Sequence, residues 1–109
     1  MPRFIVTGTY TQQAMQGMIE SPSDREKISR GLVEAVGGTQ EAWFATTGSS
    51  DFMIVVTVDR VEDVISCLMV AGSSGAVANL QTQRAFTSAE LTEMQKKAGT
   101  LASAYSAPG

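Results

Sequence analysis

The sequence has no histidine. That absence excludes Ser-His-Asp and Cys-His nucleophile arrangements, His-ligated zinc and a proximal histidine for haem. It also removes the commonest general base near neutral pH. Cysteine occurs once, as Cys67, so no intrachain disulfide can form and a reducing compartment is favoured. Charge is sparse: 17% of residues, eight basic against eleven acidic, with no Lys/Arg cluster. Gripping nucleic acid needs several phosphate-neutralising cations on one face, so nucleic acid is not an expected partner. No P-loop is present, and no Gly-x-Gly-x-x-Gly follows a strand. No apolar run approaches the roughly 20 residues that span a bilayer. The start, Met1-Pro2-Arg3-Phe4-Ile5-Val6, turns polar at Thr7 and is too short for a signal-peptide core. A cytoplasmic address without membrane contact is the expectation.

What remains is a chain of 109 residues, 43% of them hydrophobic, which suits one small globular domain. Phe4 to Tyr10 is rich in β-formers and reads as a first strand. Thr11 can cap a short helix through Ile19. Ser21-Pro22 interrupts it, and Ser21 as N-cap with Pro22 at the first helical position predicts a restart. The second helix carries Ile28, Leu32, Val33 and Val36 on one stripe, with Arg25, Glu26, Arg30 and Glu34 elsewhere, until Gly37-Gly38 ends it. Thr39 to Thr47 reads as strand two, Gly48-Ser49-Ser50 as a turn, and Phe52 to Val58 as strand three. Asp59 is expected to cap a third helix with Val61, Val64, Ile65, Leu68 and Met69 inward, and Gly72-Ser73-Ser74-Gly75 to stop it. Strand four runs from Val77 to Phe86. Thr87-Ser88-Ala89-Glu90 is a capping box for a C-terminal helix with Leu91, Met94, Ala98 and Leu101 on one side. The domain is expected over residues 1–98, including the start of that helix, with 99–109 a tail of small residues.

This order predicts an α+β class, a ferredoxin-like βαββαβ protomer with an extra C-terminal helix. Such a fold has strands one and three at the centre, and these are the strands that are apolar on both parities. Phe4, Val6, Phe44, Phe52, Ile54, Val56 and Leu80 are the expected core under the helices. The other parity gives Ile5, Trp43, Ala45, Met53 and Val55, with Thr7, Thr57 and Gln81. Such a patch is larger than monomers usually leave in water. Covering even ~400 Å² of apolar area is worth roughly 10 kcal/mol before association costs. The expected cover is a second copy, making a homodimer or higher homo-oligomer, with Ile5, Trp43, Met53 and Val55 in the interface. The alternative cover is the chain's own C-terminal helix.

The start MPRFIVTGTYT, the Ser21-Pro22 break, Gly37-Gly38, the turn Gly48-Ser49-Ser50-Asp51-Phe52 and Arg84-Ala85-Phe86-Thr87 together resemble the GYD family. The resemblance covers about residues 1 to 90 and implies a dimeric α/β barrel of ferredoxin-like protomers. In the Gly-x-Tyr-Asp signature that gives the family its name, Gly48, Asp51 and Phe52 match, while Ser50 stands where the tyrosine would be. The family has no common activity to carry over.

Three residues are candidates for ligand binding. Asp51 is a carboxylate that can sit at the mouth of the sheet, or a turn residue bonding its own backbone. Arg84, like Arg3, can hold an anion or pair with Glu41 across strands. Tyr10 ends the first strand, where its hydroxyl can enter a pocket or find a backbone partner. Trp43 can stack on a ligand but is expected as an interface anchor. Cys67 and the six methionines read as core filling. No metal site and no cofactor are expected, and a haem or metal role through Tyr10 or Cys67 is the least supported reading. The leading expectation is a non-catalytic module that binds a small ligand or another protein. The alternative is a cofactor-free monooxygenase or isomerase acting on an aromatic or polyketide-like molecule.

Overall fold

The apolar double parity of two segments decides the architecture. A computed structural model describes all 109 residues. Its elements are β1 (Arg3–Tyr10), α1 (Gln12–Glu20), α2 (Arg25–Ala35), β2 (Thr39–Ala45), β3 (Phe52–Thr57), α3 (Val61–Ser73), β4 (Val77–Ala85) and α4 (Ser88–Leu101), followed by a 3-10 turn at Ala102–Ala104. The four strands form one antiparallel sheet in the order β2-β3-β1-β4. The doubly apolar strands are therefore central and the polar β4 is an edge, as the ferredoxin-like order requires.

Phe4, Val6, Phe52, Val56 and Val58 form the buried core with Val33 of α2 and Val64 of α3. Ile54 and Leu80 are only partly buried beside it. Gly8 is necessary within β1, since a Cβ there would lie 2.7 Å from the Phe52 ring and 2.8 Å from Leu80 Cδ2. Gly37 ends α2 with φ at 77°, a conformation that glycine adopts without a Cβ penalty.

Several boundaries differ from the sequence reading. α2 starts at Arg25, not after Ser21, because the Asp24 side chain takes the Lys27 N–H at 3.1 Å and so caps the helix. α3 is preceded by Arg60, not Asp59, and has no side-chain cap. The Thr87–Glu90 capping box forms as expected.

The main correction concerns β2. Its register against β3 slips between Gln40 and Ala42, a bulge that leaves Glu41 unpaired. Gln40 is only 9% exposed. It accepts from the Ser29 hydroxyl at 2.7 Å and donates to the Glu26 carbonyl at 3.0 Å, tying β2 to α2. Glu41 then points outward to pair with Arg3 at 3.0 Å. The extra residue reverses the parity beyond it. Trp43, opposite Ile54, packs on the helix side. Phe44, opposite Met53, faces outward and is 56% exposed. Ala45, paired with Phe52, also leaves the outer set. The outer face thus carries Ile5, Phe44, Met53 and Val55, not Trp43.

The C-terminal helix does not cover this face. Every residue of α4 is exposed, and the molecule extends 60 Å along its longest axis.

Candidate functional site: an apolar cavity under α2 and α3

Two helices laid on one sheet enclose a space when the residues between them are small. α3 turns Cys67 and Ala71 inward, and α2 sets Gly31 and Ala35, both exposed, at the rim. The two helices barely touch each other. Between them and the sheet lies a cavity of about 540 Å³, within the usual range for small-molecule sites. Of its 24 lining residues 20 are hydrophobic, with Trp43, Phe52, Ile54 and Leu80 among those from the sheet. Ile28 and Val70 line it and are more than half exposed, which puts the opening between the helices.

The polar groups gather at one end. There the end of β1 meets the start of α2 and the start of β4. The junction is fixed by Thr11, whose N–H donates to the Ala76 carbonyl at 3.0 Å and whose hydroxyl donates to the Gly75 carbonyl at 2.7 Å. Tyr10 stands beside it with its ring 5.2 Å from that of Phe52. Arg25, in the first turn of α2, is the one charged residue in the lining. Tyr10 and Arg25 also border a smaller cavity of about 250 Å³ under α1.

Burial pushes the Tyr10 hydroxyl pKa up, against the opposing pull of the nearby Arg25 guanidinium. Tyr10 is therefore a neutral donor at ordinary pH. Burial likewise pushes the Cys67 thiol up, with Asp63 adding to it, and the thiol points to the Leu32 carbonyl. No carboxylate lines the cavity. The site offers apolar surface, one cation and one hydroxyl, but no group poised as a general base or a thiolate nucleophile.

A family model described as "GYD domain" matches residues 4–95. The chain belongs to the GYD domain family. No functionally curated protein matches it. Among solved structures, TTHA0845 from Thermus thermophilus is similar with a TM-score of 0.52 and 16% identity, covering 81% of this chain and 96% of that one. The structure of FFRP-DM1 gives a TM-score of 0.48 and 11% identity over 79% of this chain and 100% of that one. At 16% identity the first likeness is one of fold alone.

Within this GYD domain the three candidate residues separate. Tyr10 lines the cavity. Asp51 does not: its carboxylate accepts the Tyr10 backbone N–H at 2.9 Å, and its own N–H donates to the Gly8 carbonyl at 2.8 Å. It is a clasp between the β2–β3 turn and β1. At the signature position, the Ser50 carbonyl accepts from the Thr46 hydroxyl at 2.7 Å inside that turn. Arg84 is also outside the cavity, donating to the carbonyls of Arg3 and Ala85 with its guanidinium 4.3 Å from the Phe86 ring centre. The sequence reading missed Arg25 by setting it apart from the apolar stripe of its helix. Its spacing of three residues from Ile28 and seven from Leu32 puts it on that stripe.

Proposed function

We propose that this GYD domain is a non-catalytic homo-oligomeric module that binds a small apolar ligand between its sheet and α2–α3. The observation that carries the reading is a large cavity whose lining has no base and no activated nucleophile. The small residues that α3 turns into it, Cys67 and Ala71, support the same reading. Gly31 is exposed at the rim and a Cβ there would meet nothing within 4 Å, so a larger side chain can be set across the opening without a clash. The partner in this reading is a second copy over the outer face, where Ile5, Phe44, Met53 and Val55 sit without charge among them.

The test uses Nile red, a neutral apolar dye, with emission from Trp43 as the internal reporter. Saturable binding at one dye per chain is expected, and Gly31→Leu should abolish it while leaving the circular dichroism spectrum unchanged. Dye binding that survives Gly31→Leu would place the site elsewhere, and failure of the dye to bind at all would end the proposal. The cofactor-free enzyme is the second reading, favoured by the cavity's volume and by Tyr10 at its end. It has lost two of its three polar groups, since Asp51 and Arg84 lie outside.

A further inference from the structure

The five arginines of the chain divide by what they touch. Arg3 pairs with Glu41, Arg30 with Glu26 and Arg60 with Glu62. Arg84 has two carbonyls and an aromatic ring. Arg25 alone has neither a carboxylate within 4.0 Å nor a carbonyl, and its one hydrogen bond is a 3.4 Å contact to the Ser23 hydroxyl. It is also the one that is partly buried against an apolar cavity. A guanidinium in such a position loses part of its hydration without a counter-charge in return. The Tyr10 hydroxyl beside it is kept protonated by burial and lies within reach of this guanidinium. Two donors, one of them charged, therefore converge at the end of a space that is otherwise hydrocarbon.

We propose that the ligand of this GYD domain is an apolar monocarboxylic acid, its carboxylate held by the Arg25 guanidinium and the Tyr10 hydroxyl and its body in the cavity under α2 and α3. The inference rests on the cavity reading above and adds the chemistry of the head group. A carboxylate fits because the planar guanidinium fork matches its two oxygens, and the hydroxyl supplies a further donor. A single cation balances a single negative charge, which favours a monoanion over a doubly charged phosphate monoester. A head group that carried its own cation would meet Arg25 with like charge. Apolar alcohols and esters would fill the cavity and leave Arg25 without a counter-ion.

The test is a pair of probes with one body and two heads, decanoate and decanol, titrated at neutral pH and followed through Trp43 emission. The wild-type domain should prefer decanoate by about tenfold or more, the usual worth of hydrogen bonds to a charged group. Arg25→Met should erase that preference while leaving decanol affinity within about twofold, which also shows that the variant is folded. Arg25→Lys should recover part of it, and Tyr10→Phe should weaken decanoate several-fold with decanol unchanged. Equal affinity of the wild type for both probes, or a preference that survives Arg25→Met, overturns the inference. If Nile red binds and decanoate does not, the head-group assignment falls and the cavity stands. If neither binds, both fall.

Discussion

Thr82 bears the one buried side-chain hydroxyl in the protein without a hydrogen-bond partner. It faces the helix side of β4, opposite Val6. Burying an unpaired hydroxyl is costly, and valine has nearly the same shape without the polar atom. Thr82→Val should raise stability by about 1 kcal/mol, read as a higher urea midpoint. An unchanged or lower midpoint would mean that the hydroxyl is satisfied. At this scale the sequence was an uneven guide. Tyr10 was legible because a tyrosine at a strand end has few places to put its hydroxyl. Asp51 and Arg84 were not, because a polar residue near a turn or an edge has many backbone partners that composition cannot rank. Arg25 was legible in principle from its spacing to Ile28 and Leu32, but charge hid it.

Among the elements, α4 depends most on its own sequence. It buries no residue, so its 14 residues rely on the capping box more than on packing. Glu90 accepts the Thr87 N–H at 2.9 Å, and this bond holds its carboxyl below the usual Glu range, with Arg84 and Arg3 contributing the same way. A carboxylate whose pKa is lower in the folded state stabilises that state above the unfolded pKa, and the stabilisation is lost as pH falls through the folded value. Acidification to below the usual Glu range should therefore fray the start of α4 while the sheet holds. Amide exchange should quicken at Leu91 and stay slow at Val55, and simultaneous loss of both would refute a separately capped helix. The same box was plain in the sequence, since Thr-x-x-Glu before an apolar stripe has one physical meaning. The starts of α2 and α3 were less plain, because Ser21 before Pro22 reads as a cap while Asp24 takes that place, and Arg60 qualifies by no rule. The β2 bulge had no local signature at all. Its cause is the tertiary hydrogen bonding of Gln40 to Ser29 and Glu26, and it exchanged the faces of Trp43 and Phe44.

For the whole molecule, the sheet is apolar on both sides but roofed by helices on one. Ile5, Met53 and Val55 are partly exposed on the other side, Phe44 more so, and α4 leaves them uncovered. Stable interfaces bury about 800 Å² per partner, and the outer face of a four-stranded sheet is of the right kind to supply much of that area. A second copy is the occupant we propose, so light scattering of the wild type at micromolar concentration should give at least a dimer. Val55→Glu, at the centre of the face, should give a folded monomer with the same circular dichroism. A wild type that runs as a monomer would sink the assembly reading. The single extra residue in β2 bears on both sides of this sheet. It gives the indole ring to the helix side and the phenyl ring to the outer face. The gain or loss of one codon at Glu41 can therefore trade these aromatic rings between the roofed and the open side of the sheet without changing either residue.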